Sequence, residues 1–233
     1  MWLRHWCTAR RLPILEEMTS PRRQAPAGGL QADISRILQG TSTRAPAQLR
    51  NAPVLILTIG LPGSGKSTFA RRLAPEVDAV ILESDALRRL LFREPSYSPA
   101  ENRRLFAALH ASARELLTRG RNVIIDATSI RESDRRPAFE VAEQTGARVL
   151  QIRFSAPEAV IARRLTRRSE AQDPADSSSA GMRVYRRMAE LVEAPKRDHW
   201  TIDTSNDAET HAALSRVVEA CRSQAGRALG EMR

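Results

Sequence analysis

Nine consecutive residues, Gly60-Leu61-Pro62-Gly63-Ser64-Gly65-Lys66-Ser67-Thr68, restrict the possible folds of this chain more than any other stretch. An apolar run, Val54-Leu55-Ile56-Leu57-Thr58-Ile59, precedes them, and a helix-like segment, Phe69-Ala70-Arg71-Arg72-Leu73, follows. Strand, glycine-rich loop and helix with G-x-x-x-x-G-K-[ST] spacing make a phosphate-binding loop. Glycines let successive backbone N–H groups turn toward one anion, and the helix N-terminus adds a favourable dipole. Lys66 then reaches the β- and γ-phosphates of a nucleotide, and the Ser67 hydroxyl is placed to hold Mg²⁺. Only two of the 37 basic residues are lysines, Lys66 and Lys196. A chain that writes arginine almost everywhere keeps a compact, flexible cation here.

From Val54 onward, short apolar runs alternate with amphipathic segments. The runs 54–59, 79–83, 122–126, 148–154 and 199–203 predict strands. Helices are expected over 66–74, 85–92, 99–119, 132–145, 157–168, 181–192 and 207–228. That alternation implies crossover connections and a parallel sheet, so ligands bind beyond the carboxyl ends of the strands. The residues at those ends are therefore the candidates.

The second strand ends in Ser84-Asp85-Ala86-Leu87-Arg88. Asp85 is a candidate general base for an attacking hydroxyl, and also a candidate helix cap. Arg88, one turn on, is a candidate clamp for a substrate anion. The third strand ends at Asp126, which suits a carboxylate that holds Mg²⁺ or orients Ser67. Thr128 follows as a candidate substrate contact. The helix after the fourth strand ends in Arg163-Arg164-Leu165-Thr166-Arg167-Arg168 and leads into the polar stretch 169–181. Arginines on a closing lid neutralise transition-state charge and exclude water. Arg164 and Arg168 share one face, although four arginines compete for the role. His110 and His199 have no partner placed beside them by sequence and read as structural.

Residues 1–52 have a different character. They carry eight arginines and three acidic residues, which is half of the net charge of +10. Their Arg, Pro, Ala, Gly and Ser content is that of a linker, so a flexible tail without chemistry is expected, with 53–233 as the folded domain. Within the tail, Asp33 to Leu38 reads as a short helix behind an Asp cap. Arg4, Arg10 and Arg11 interrupt every apolar stretch a secretory leader needs. Cys7 and Cys221 offer neither metal spacing nor a disulfide framework, so a cytoplasmic setting is expected. No run approaches the ~20 apolar residues of a membrane span.

With these motifs in hand, the chain resembles the small P-loop kinases. The likeness is to the predicted-kinase group that includes the kinase domain of phage-type polynucleotide kinase (the AAA_33-type ATP-binding domain), with zeta-toxin kinases more distant. Its carriers are Gly60 to Thr68, Ser84 to Arg88, Val123 to Thr128, Arg164 with Arg168, and Asp203-Thr204. The resemblance spans 53 to about 220. It implies an α/β P-loop NTPase fold, a three-layer sandwich around a five-stranded parallel sheet with an arginine-bearing lid. It further implies ATP with Mg²⁺, transfer of the γ-phosphate to a hydroxyl-bearing acceptor, Asp85 as general base, Arg88 at the substrate, and Arg164 and Arg168 in the lid. The acceptor stays open between a small molecule, which is favoured, and a polynucleotide end. A basic groove of Arg88, Arg89, Arg103 and Arg104 with Tyr97 for stacking would suit the latter. An ATPase or switch acting on a protein partner, and a nucleotide-sugar kinase, are the alternatives.

Overall fold

A computed structural model describes residues 29–41, 52–172 and 179–223. In chain order the elements are α1 (Leu30–Gln39), β1 (Val54–Ile59), α2 (Lys66–Glu76), β2 (Ala79–Glu83), α3 (Ser84–Leu91), α4 (Pro99–Thr118) and β3 (Asn122–Asp126). There follow α5 (Glu132–Thr145), β4 (Arg148–Ser155), α6 (Glu158–Gln172), α7 (Ser179–Ala189), β5 (Trp200–Asp203) and α8 (Asp207–Arg222). The five strands form one sheet in the order β2-β3-β1-β4-β5, with every pairing parallel.

Both faces of the sheet are covered, which is why its strands read as continuous apolar runs. Within β1, Leu55, Leu57 and Ile59 pack with residues of α3, α4 and α5 on one face, while Val54 and Ile56 pack with α2 and α8 on the other. Side chains therefore alternate between two cores with period two. In the sheet β1 is flanked by β3 on one side and β4 on the other, so the connections from β1 to β2 and from β3 to β4 each pass over a neighbouring strand. The glycine-rich loop follows the carboxyl end of β1, the end of the sheet at which parallel α/β folds place their ligands.

Element boundaries differ from the sequence expectation in three informative places. The second helix runs through Pro75 to Glu76, because proline's φ is helical and only one hydrogen bond is lost near the end. The sixth continues to Gln172, and α7 starts at Ser179, so part of the stretch expected to be a loop is helical. The last ends at Arg222; its expected continuation to 228 lies beyond the described residues.

The largest departure is at the N-terminal side. The expected tail contains α1, and α1 is docked. Ile37 is 1% exposed within the core formed with α4. Asp33 is fully buried and accepts two hydrogen bonds from Arg104 on α4, from Nε at 2.7 Å and Nη2 at 2.9 Å. Asp33 is therefore an ion-pair partner inside the helix, and the N-cap is Gly29. For residues 30–39 the reading as a free tail is corrected. The remainder of 1–52, apart from 29, 40, 41 and 52, lies outside the described residues.

Candidate active site

The glycine-rich loop is pinned at both ends. Gly60 N–H donates to the Thr128 carbonyl at 3.0 Å, so the loop starts against the end of β3. A Cβ on Gly60 would lie 2.8 Å from the Phe154 carbonyl oxygen, which only glycine avoids. Gly65 caps α2 with φ +89, a left-handed conformation that favours glycine, and an added Cβ would lie 3.0 Å from the Thr204 side chain. Lys66 is buried, and its ammonium donates to the Leu61 carbonyl at 3.0 Å across the loop. The loop spans Leu61, Pro62 and Gly63 to Ser64, whose buried Oγ has no hydrogen-bond partner, and leads into Ser67 and Thr68 on the first turn of α2.

Charged groups from three other elements act on Lys66. Burial pulls its ammonium down from 10.5 to about 8. Asp126 at the end of β3 and Asp85 on α3 act against that fall, and Arg168 on α6 adds to it. The charges of Asp126, Asp85 and Arg168 thus all act on Lys66, although β3, α3 and α6 are far apart in sequence.

Asp126 is 3% exposed, and burial raises its pKa above the usual carboxylate range. The nearby Ser67 side chain and Lys66 ammonium oppose the rise, whereas Glu83, its register partner on β2, adds to it. Thr58 on β1 lies 3.4 Å from Oδ1. Oδ2 is buried without a hydrogen-bond partner. A buried carboxylate oxygen left open beside a serine hydroxyl is a donor set that suits a hard divalent cation.

Asp85 is exposed in the first turn of α3. The helix starts one residue earlier, at Ser84, and its N-cap is Glu83 with no side-chain cap bond. Asp85 is thus not the cap, and its carboxylate is free of that structural duty. Arg88 is in a different position from a free clamp. It is 5% exposed, ion-paired with Glu101 on α4, and its Nη2 donates to Asn102 Oδ1 at 2.6 Å. Arg104 is likewise taken up by Asp33. Two of the four cations of the basic groove weighed from sequence are thus neutralised by internal partners.

The four arginines of α6 separate by geometry. Arg164 turns inward, its Nη1 donating to the Gly63 carbonyl at 3.2 Å and to Thr204 Oγ1 at 2.8 Å. Arg163, Arg167 and Arg168 are exposed, and of these only Arg168 bears on Lys66. Thr128 is half-buried, with its carbonyl bonded to the loop.

Sequence reasoning left several residues that build this site without a role in it. Thr204, 5% exposed, donates to the Ser64 carbonyl at 2.9 Å, a contact between positions 140 residues apart. Arg135 is fully buried and holds the segment after β3 through the Ser129 carbonyl at 3.0 Å, with Glu132 as its ion-pair partner. Thr58 was signalled weakly, as the one polar residue of an apolar strand. Two surface depressions of about 470 and 500 Å³ flank α8, and neither includes a residue of the glycine-rich loop. The site is therefore identified by its chemistry, not by concavity. Among the described residues, no group of three or more His, Cys, Asp or Glu gathers as a metal cluster, and no helix is long and apolar enough to cross a membrane.

Loop, parallel sheet and strand order define a P-loop NTPase fold of the kinase-like group. A family model described as AAA domain (AAA_33) matches residues 55–195, and the chain belongs to that family. The uncharacterized protein Rv2004c of Mycobacterium tuberculosis and the uncharacterized protein Mb2027c of Mycobacterium bovis are each 32% identical over 149 residues, 58% of this chain. The match spans only 30% of the length of these relatives. Among solved structures, a protein of Chloroflexus aurantiacus aligns with TM-score 0.59 at 22% identity, covering 76% of this chain and all of the other. The Mycobacterium tuberculosis APS kinase CysC, solved with AMPPNP and APS, aligns with TM-score 0.54 at 19% identity over 74% and 99% of the two chains. Chaetomium thermophilum Kti12, solved with ADP-AlF3, aligns with TM-score 0.54 at 18% identity over 72% and 98%. At these identities the structural likenesses speak for the fold.

Proposed function

We propose that the protein is an ATP-dependent kinase that transfers the γ-phosphate of ATP to an alcohol. The observation that carries this reading is the buried Lys66 at the head of α2, bonded across the glycine-rich loop, with the buried Asp126 leaving Oδ2 open; the charges of Asp85 on α3 and Arg168 on α6 also act on its ammonium. A nucleotide-binding loop alone suits many activities. A carboxylate without a capping role on one side and an arginine on the other supply, respectively, a proton acceptor and a charge stabiliser for phosphoryl transfer.

The residues divide the work as follows. The loop amides and Lys66 hold the triphosphate, with Arg164 fixing the loop from behind. Asp85 takes the proton as the acceptor oxygen bonds to the γ-phosphorus and the bond to the β–γ bridging oxygen breaks, with ADP leaving. Arg168 is proposed to stabilise the charge that develops in that step. Ser67 and Asp126, with its open Oδ2, would hold Mg²⁺, which supplies charge neutralisation across the phosphate oxygens when bound. Thr128 is proposed at the acceptor, beside the start of the loop. Arg88, being ion-paired, is proposed to shape the acceptor side rather than clamp an anion.

Transfer of labelled γ-phosphate from ATP to a pool of alcohols tests the reading, with wild type, Lys66→Ala and Asp85→Asn side by side. Lys66→Ala is expected to abolish transfer with the fold intact. Asp85→Asn is expected to lower turnover by roughly 10²-fold or more with ATP binding little changed. Equal release of free phosphate by wild type and Asp85→Asn, with no labelled alcohol, would favour an ATPase or switch instead.

A further inference from the structure

Tyr97, in the link between α3 and α4, is 62% exposed and has φ +54. A bulky side chain rarely adopts that left-handed conformation, and where one does the surroundings must enforce it. The enforcement is dense here. Glu101 accepts from both the Ser96 N–H and the Ser96 hydroxyl at 2.6 Å, which fixes the backbone just before Tyr97. Asn102 Nδ2 donates to the Tyr97 carbonyl at 3.4 Å. Burial pushes the Glu101 carboxyl up, but the hydrogen bonds from Ser96 and Arg88 outweigh it and bring it down to about 2, so the carboxylate stays charged. Arg88 is held by Glu101 and Asn102, and its guanidinium carbon sits 4.4 Å from the centre of the Tyr97 ring. One ring face is thus covered by a buried, fixed cation, and the rest of the ring is open.

The place of this ring matters. Arg88 lies three residues after Asp85 on α3, and residues so spaced are neighbours on a helix, with about 5–6 Å between their Cβ atoms. The network that fixes the ring therefore begins one helical turn from the proposed base. A surface tyrosine with no task would not need a left-handed backbone held by a buried ion pair.

We propose that Tyr97 is the acceptor platform: its open face receives the flat face of a ring-bearing alcohol, aromatic or sugar, so that a hydroxyl on that ring reaches Asp85. This rests on the kinase reading above and deepens it by naming the acceptor class. Stacking on a tyrosine face is tolerant of ring identity, so the platform selects rings over open chains without reading every substituent.

The test uses the full chain with labelled ATP and three sets of probes: nucleosides, methyl glycosides and open-chain polyols. Label is expected on ring compounds, and which set carries it separates aromatic from sugar rings. Tyr97→Asn keeps a residue that tolerates the left-handed region. It is expected to raise KM for the labelled ring acceptor about tenfold, with KM for ATP within twofold and the melting temperature retained. Tyr97→Phe is expected to bring the acceptor KM back toward the wild-type value. Label confined to open-chain polyols overturns the proposal, as does an unchanged ring-acceptor KM in Tyr97→Asn. Asp85-dependent labelling of open-chain polyols would leave the kinase reading standing and remove the platform alone; free phosphate with no labelled alcohol would remove both.

Discussion

Arg164 and Thr204 are bonded twice, Nη1 donating to the hydroxyl oxygen at 2.8 Å and Nη2 to the carbonyl at 2.6 Å. The same hydroxyl donates to the Ser64 carbonyl at 2.9 Å, and Arg164 also reaches the Gly63 carbonyl. Helix α6, the end of β5 and the glycine-rich loop therefore meet at one threonine. Thr204→Val keeps the branched shape against Gly65 and deletes the hydroxyl, leaving a buried carbonyl and an arginine donor short of a partner. Such a loss costs about 1–3 kcal/mol, so ATP binding is expected to weaken roughly tenfold. Calorimetric titration with ATP measures it, and Thr204→Ser is expected to restore most of the affinity. An unchanged Kd in Thr204→Val would mean that the latch holds the fold and not the nucleotide.

With Arg164 turned inward, Arg168 is the α6 arginine whose charge acts on Lys66. Arg168→Ala is expected to lower kcat by roughly 10²-fold, the scale of losing one charge stabiliser in a water-poor site. Arg167→Ala, on a neighbouring exposed position, is expected to stay near wild type. Equal losses in the two variants would show a diffuse field rather than one placed arginine.

Asp126 offers a buried oxygen without a partner next to Ser67. Asp126→Asn is expected to raise the Mg²⁺ concentration needed for half-maximal ATP turnover about tenfold or more, because an amide oxygen attracts a hard cation less than a carboxylate does. A Mg²⁺ titration at saturating ATP reads this. The same half-saturation point in both proteins would take Asp126 out of the cation site.

The Asp33–Arg104 pair joins α1 to α4 with the carboxylate fully buried. Asp33→Ala removes the two hydrogen bonds that Asp33 accepts from the partly exposed Arg104, at a cost of about 1–3 kcal/mol. For a chain of this size that lowers the melting temperature by roughly 2–12 °C. Removal of residues 1–41 is expected to do at least as much, since it also uncovers the site of Ile37. Thermal denaturation followed by circular dichroism is the measurement; a melting temperature within a degree of wild type in both variants would undock α1.

Glu101 gives a pH dependence with a definite sign. Its carboxyl is brought from 4.5 down to about 2 in the folded protein. A depressed carboxyl contributes stability that is fully present above about pH 4.5, and that stability drains away as pH falls toward 2. Denaturant midpoints measured across that window should fall more steeply in wild type than in Glu101→Gln. Parallel curves would mean that Ser96 and Arg88 do not hold the carboxylate charged.

Much of this molecule was legible from its residues in order. The strand before Gly60 is apolar on every residue but Thr58 because both faces are buried, so its place at the centre of a covered parallel sheet could be read from the pattern. The loop is legible because each glycine answers a local need, and Lys66 and Ser67 sit at fixed offsets from it. Asp85 and Asp126 could be found because a parallel sheet delivers strand ends to one edge, whatever the details of packing.

Other features were decided by contacts between distant parts of the chain. Which of four arginines faces the nucleotide loop depends on how α6 lies against Gly63 and Thr204, and spacing along one helix cannot supply that rotation. Arg88 looked like an open clamp because its partner, Glu101, belongs to the next helix. Residues 30–39 read as part of a tail with only a short helix over Asp33 to Leu38, because a single buried Ile37 and one buried Asp33 make too weak a local pattern to show docking; that docking draws on apolar burial and a charge pair with Arg104, about seventy positions away. Local periodicity and turn chemistry are written residue by residue, so the sequence by itself determined the sheet and the loop. Pairing of charges and the facing of side chains arise only when separate elements pack, so tertiary structure alone decided which polar groups stay free for a substrate and which are held by the protein itself.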